Sequence, residues 1–230
     1  MVIENSLLAA IPRKAYGALL PWLEPVTLEF GEVLYQPGEK IRHVYFPGAS
    51  LISLLTLADG HLALEVGLIG REGMVGVPLV LGHTDSPVRA LVQGAGTAMR
   101  TTAAHFRTAF GRMPALQREM YRYVYALMAQ ISQTAACNRF HVVESRLARW
   151  LLMTHDRVKS NQFRMTHEFL GHMLGVRRVG VTKAAQALQN KGLIGYTRGN
   201  IEVLDRAGLE AAACQCYAVV RDMSNGHLAA

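Results

Sequence analysis

The hydrophobic period of this chain changes once, close to Thr102, and that change limits the folds open to it. Before it come short runs that alternate apolar and polar residues or are wholly apolar: 26–30, 32–35, 44–46, 51–57, 62–69, 75–81, 89–92 and 97–101. Pro37-Gly38, Pro47-Gly48, Asp59-Gly60 and Gly82-His83 punctuate them. Short strands at this spacing with glycine-rich turns predict an antiparallel sandwich or barrel. Ahead of them, Ser6 to Leu23 reads as one or two short helices interrupted by Pro12 and Pro21. After the change, Thr102 caps a short helix ending near Gly111, and Pro114 suits the first turn of the next one.

That next helix meets no breaker until about Asn138. Leu116, Met120, Tyr123, Leu127, Ile131 and Thr134 form a stripe along it, widened by Val124, Met128 and Ala135. A stripe this long, between two domains, predicts pairing with a second copy of the chain, so these six residues are the expected dimer interface. Beyond it, Val143, Leu147, Trp150 and Leu151 start a third unit, followed by two short helices and a strand pair, and Ala207 to Val220 reads as one closing helix. The expected order is a sensor-like β domain at 1–110, a long helix and hinge at 111–140, and a helical domain at 141–230. The fold class is α+β.

The chain has 230 residues and is 50% hydrophobic and 18% charged, which excludes disorder. Asp59, His61 and Glu65 break the most apolar stretch, so no membrane partner is expected. Glu4, with Arg13 and Lys14, spoils a secretory signal. Three cysteines, Cys137, Cys214 and Cys216, cannot make a disulfide framework, so the expected compartment is the reducing cytoplasm. Residues 1–110 carry 8 basic and 9 acidic side chains; residues 111–230 carry 16 and 8. The whole positive surplus lies in the second half, which points to a polyanionic partner there.

The stretch from Met165 to Ile194 narrows that partner. Thr166 is placed to cap a helix; Phe169, Leu170, Met173 and Leu174 face inward; Gly171 sits where two helices cross; Gly175 suits a tight turn with positive φ. Val176, Val181, Ala184, Ala185 and Leu188 carry the packing face into a second helix, which is helix-turn-helix grammar. The second helix offers Arg177, Arg178, Thr182 and Lys183 near its start, the part of such a motif that enters the major groove of double-stranded DNA. Two short strands around Arg198-Gly199-Asn200 make a β-hairpin wing, with Arg198 and Asn200 at its tip toward the phosphates.

At these residues the chain resembles regulators of the Crp/Fnr family. The resemblance spans nearly the whole chain. It rests on Phe30-Gly-Glu-Val-Leu-Tyr-Gln-Pro-Gly-Glu39, Val44-Tyr-Phe-Pro47, Gly73-Met-Val-Gly76, the long helix, Ser145-Arg-Leu-Ala-Arg-Trp-Leu-Leu152 and, best of all, 166–188. It implies an N-terminal antiparallel β-roll of the cyclic-nucleotide-binding, jelly-roll type, a long central dimerisation helix and a C-terminal winged helix-turn-helix. It implies a homodimeric, nucleoid-associated transcription factor on palindromic sites, with RNA polymerase as a further partner and no enzymatic activity. Thr166 and His167 fall where family members touch phosphate. Gly73, Gly76, Val77, Arg89 and Ala90 fall where members hold an effector.

The departures from the family are specific. Val77 stands where cyclic-nucleotide binders carry the ribose-binding Glu, and Arg89-Ala90 lacks the hydroxyl residue that holds the cyclic phosphate. Both argue against cyclic AMP and leave any small-molecule effector unidentified. No N-terminal cysteines are present for an iron–sulfur cluster. In the recognition helix Val179 replaces the usual Glu and Lys183 the second Arg, so a different DNA sequence is expected. No His-x-His pair exists for a cupin metal site; the nearest approach is His61 with Glu65. Cys214-Gln-Cys216, read as helical, has thiols pointing apart, so no metal is expected and the thiols read as incidental. The alternative function is a ligand-sensing protein whose helix-turn-helix binds a protein.

Overall fold

A computed structural model of the chain describes residues 3–58, 62–158, 160–197 and 199–229. The chain forms two compact units: Met1–Leu54 with Gly67–Ala129 and Met223–Ala230, and Leu55–Val66 with Gln130–Asp222.

The first unit opens with helices α1 (Ser6–Ala9) and α2 (Arg13–Leu19). Asn5 fixes this start: its Oδ1 accepts from the Leu8 amide, and its Nδ2 donates to the carbonyls of Pro47 and Gly73. Five strands follow: β1 (Glu24–Leu28), β2 (Val33–Tyr35), β3 (His43–Pro47), β4 (Leu51–Ala58) and β5 (Leu62–Ile69). Then come β6 (Arg89–Gly94) and β7 (Gly96–Thr102). They make two sheets in the orders β1-β7-β3 and β2-β6-β4-β5. Phe46, Ile52, Leu68, Met74 and Phe106 are buried in this unit.

The run 75–81 is not the strand that its apolar residues predict. Only a bridge between Tyr45 and Val75 forms, and a 3-10 turn takes Val77–Leu79. Gly76 has φ 117, and Pro78 has no N–H for a ladder. The other runs before Thr102 lie within two residues of their strands.

Helix α3 (Ala103–Arg112) is capped by Thr102, whose Oγ1 accepts from the His105 amide. Helix α4 (Pro114–Phe140) follows. The predicted dimer stripe is occupied inside the single chain: Leu116 and Met120 are fully buried, Tyr123, Leu127 and Thr134 are buried, and Ile131 is half-buried. A Cβ on Gly73 would overlap the Tyr123 ring, so this face of α4 presses on the loop after β5. The exposed face carries a second row, Tyr121, Tyr125 and Met128, the last two 70% and 62% exposed. Ser132, Ala135 and Arg139 continue it at steps of four and three residues.

The second unit holds α5 (Val143–His155), β8 (Gln162–Arg164), α6 (His167–Leu174) and α7 (Arg178–Asn190). It closes with β9 (Ile194–Thr197), β10 (Asn200–Val203), α8 (Arg206–Ala212) and the part of α9 (Cys216–Ala229) up to Asp222. Trp150 and Leu170 are buried at its centre. Trp150 Nε1 donates to Glu65 Oε1 at 2.9 Å, with both groups buried. The single closing helix expected from Ala207 onward is instead two helices, because residues 213–215 leave helical geometry. Among the described residues no helix is long and apolar enough to cross a membrane.

Candidate nucleic-acid interface

The local signals in 165–194 fold as their chemistry dictates. Thr166 Oγ1 accepts from the Phe169 amide and starts α6. Gly175 ends it with φ 61, the left-handed cap where a side chain is strained. A Cβ on Gly171 would sit 2.9 Å from the Val176 carbonyl oxygen, so only glycine lets the turn fold back on α6. Leu170, Leu174, Val181, Ala185 and Leu188 are buried between the two helices and α5.

This packing turns one face of α7 outward. Arg178, Val179, Thr182, Lys183 and Gln186 are all exposed there, at the alternating steps of one and three that line a helix face. Arg177 precedes them as the N-cap and is exposed as well. The structure thus brings together the four predicted base-reading residues. It adds Gln186, which the sequence reading omitted, although its spacing from Thr182 places it in the same row. Val179 is 66% exposed, a large apolar side chain turned to solvent.

The wing is a three-stranded sheet in the order β8-β10-β9, with Asn200 opposite both Arg164 and Thr197. Asn200 is exposed beside Gly199, whose φ is 84. Arg198 lies outside the described residues. The third strand, β8, is the piece that sequence reading missed.

His167 couples the wing to α7. Its ring stacks on Tyr196 with centroids 4.2 Å apart and planes inclined by 19°, and its Nδ1 lies 2.9 Å from Thr182 Oγ1. The Thr182 hydroxyl donates to the Arg178 carbonyl, so Nδ1 must be the donor to Oγ1. Nε2 is buried without a partner among the described residues. Burial, and then the charge of Arg178, hold the imidazole below its ordinary range.

Arg146 joins the hinge to the first motif helix. Its Nη2 donates to Asn138 Oδ1 at 2.7 Å and to the Leu174 carbonyl. Burial holds its pKa below the ordinary guanidinium value.

In the β domain, Tyr35 draws two predicted effector residues together. It lies opposite Ala90 in the sheet and takes a backbone hydrogen bond from Gly76, while burial pushes its phenol up. Arg89 donates to Gln36 Oε1 at 2.7 Å. Val77 starts the 3-10 turn, half-buried. Of the pair His61 and Glu65, His61 lies outside the described residues, and Glu65 accepts from Trp150.

The cysteines correct the sequence reading. Cys214 lies in the non-helical link and Cys216 begins α9, so their thiols converge. Cys137 Sγ is 3.5 Å from Cys214 Sγ, and Cys216 Sγ is 3.4 Å from His141 Nδ1. The Ala-rich link holds neither Gly nor Pro, so nothing local announced the break.

Residues 145–212 match the family described as the Crp-like helix-turn-helix domain. No curated protein sequence matches the chain. Among solved structures, FixK2 from Bradyrhizobium japonicum is similar at TM-score 0.71 and 14% identity, over 84% of this chain and 98% of that one. The c-di-GMP responsive global regulator CLP of Xanthomonas campestris gives 0.69 and 15%, over 84% and 99%. A CRP-family transcriptional regulator from Thermus thermophilus gives 0.68 and 19%, over 82% and 96%. Residues 145–212 thus match the Crp-like helix-turn-helix domain, and the chain as a whole has the fold seen in solved Crp/Fnr regulators.

Proposed function

We propose that this chain is a transcription regulator that binds a palindromic site in double-stranded DNA as a homodimer. The observation that carries this reading is the outward row Arg178, Val179, Thr182, Lys183 and Gln186 on α7. Arg178 and Lys183 offer donors to guanine O6 and N7, Gln186 offers a donor–acceptor pair to adenine, and Val179 suits a thymine methyl group. Thr166 and Asn200 flank the row and supply phosphate contacts that set register, while His167 holds Thr182 in place within it. Pairing of two copies uses the exposed row Tyr121, Tyr125 and Met128, whose continuation at steps of three and four fits a two-helix seam.

Control passes through the hinge. One guanidinium, that of Arg146, holds both Asn138 and the end of α6, so rotation at 138–143 carries the motif with it. The β-roll receives the signal near Gly73, Gly76 and Ala90. With Val77 in place of a carboxylate and Arg89 engaged by Gln36, the ligand differs from cyclic AMP.

Selection of DNA from a random pool with the purified chain, followed by a salt titration of the winner, tests the reading. A palindromic winner whose affinity falls steeply with salt is expected, because each neutralised phosphate releases counterion. No enrichment, with or without a panel of cyclic mono- and dinucleotides, overturns it in favour of a protein partner.

A further inference from the structure

Outside the proposed DNA interface, one group of side chains has no role in it. Cys137, His141, Cys214 and Cys216 place their Sγ and imidazole nitrogen atoms all within 4.8 Å of one another. All four belong to the second unit. We propose that they bind a single divalent metal ion, zinc by ligand preference, in a four-coordinate Cys3His site.

The geometry fits that ion. Zinc with Zn–S bonds of about 2.3 Å and tetrahedral angles sets its ligand atoms about 3.7 Å apart. Here two of the edges are 3.5 and 3.4 Å, a few tenths shorter. An iron–sulfur cluster spreads its thiolates over several irons and needs a wider mouth. Cys137 and His141 are one helical turn apart, with the His141 amide donating to the Cys137 carbonyl, so both face one side. Cys137 and Cys216 are buried. Gln133 Nε2 donates to Cys216 Sγ at 3.0 Å, the kind of outer bond that orients a metal-bound thiolate.

Charge supplies an independent argument. Arg146 and Arg149 are buried, and neither pairs with a carboxylate among the described residues. Their acceptors among those residues are neutral: Asn138, the Leu174 carbonyl, Thr134 and Met153. Each also has a buried Nε with no partner among the described residues. Asn138 follows Cys137 directly and Thr134 precedes it by one turn, so both guanidinium groups bond to the same stretch of α4. Buried cations without counter-charge are costly. Three thiolates around one divalent ion leave a net negative charge, which answers them.

Metal analysis of the full chain, purified without chelator, is the first test, with about one zinc per chain expected. The second strips the metal, reduces the thiols and adds cobalt(II). The visible bands and sulfur-to-metal charge transfer of tetrahedral, thiolate-rich cobalt are expected at one equivalent. Cys214→Ser and His141→Ala should abolish or weaken those bands while circular dichroism reports their helix content. The wild-type cobalt spectrum stands whether or not a variant folds. Reduced wild-type protein that takes up no cobalt overturns the proposal. So does purified protein that holds iron with inorganic sulfide.

Discussion

His167 Nδ1 donates to the Thr182 hydroxyl at 2.9 Å, so the first residue of α6 is bonded to the middle of the helix that faces outward. The neutral imidazole suits this place, because a second N–H at Nε2 would be buried without an acceptor among the described residues. The folded-state pKa therefore lies below the ordinary value of 6.5. Below pH 6.5 the unfolded chain takes up more protons than the folded one, so stability falls as pH falls and levels off beneath the lowered pKa. We expect the urea midpoint of the helical unit to drop between about pH 7.5 and 5.5, one unit either side of an ordinary imidazole. His167→Phe keeps a ring on Tyr196 and should flatten that component of the profile.

Arg178→Ala should cost about 1–3 kcal/mol on the selected DNA and relax the preference at one base pair. Equal losses on selected and random DNA would assign Arg178 to phosphate instead. Val179→Ala should change base preference at a neighbouring position and leave the unfolding stability within about 0.5 kcal/mol, since the side chain is exposed.

Gly171 and Gly180, both inside motif helices, should respond oppositely to the same substitution. Gly171→Ala drives a Cβ to 2.9 Å from the Val176 carbonyl and should destabilise the helical unit by about 1–3 kcal/mol. Gly180→Ala, inside α7 with nothing closer than 4.0 Å, should stabilise it by about 0.5–1 kcal/mol. Chemical unfolding of the two variants beside the parent chain checks both signs.

Trp150→Phe removes the indole donor from a buried Glu65 oxygen and should cost about 1–3 kcal/mol in denaturant unfolding. Glu65→Gln keeps an acceptor for the indole and should cost less.

Tyr125→Glu should shift the chain from dimer to monomer in sedimentation while its circular dichroism stays unchanged, because this side chain is 70% exposed on α4. Leu116→Glu, on the buried face of the same helix, should unfold the β domain instead. A Tyr125→Glu chain that remains dimeric places the seam elsewhere.

What the sequence disclosed, it disclosed through local chemistry. Thr166, Gly171 and Gly175 each impose a cap, a close approach or a positive φ that no distant contact has to supply, so α6 and α7 were readable. The β9–β10 wing was readable from its turn for the same reason. The inward face of α4 was not, because two apolar rows of nearly the same period run along it. Leu116 and Tyr125 differ only in what the rest of the fold lays against them. Strand β8 has three residues and exists through its pairing with β10. The convergence of Cys137 and Cys214, 77 positions apart, depends on a helix break that no residue type signals.

The position of β8 has a consequence for what this fold can vary. The chain leaves the small sheet at Arg164, builds both motif helices, and re-enters the same sheet at β9 and β10. The proposed reading helix thus belongs to an insertion whose two ends are anchored in one small sheet. Its seat beside the hairpin is held from both sides by that sheet. In the proposed complex with DNA, substitutions along α7 would change which bases are read without changing how the helix is seated.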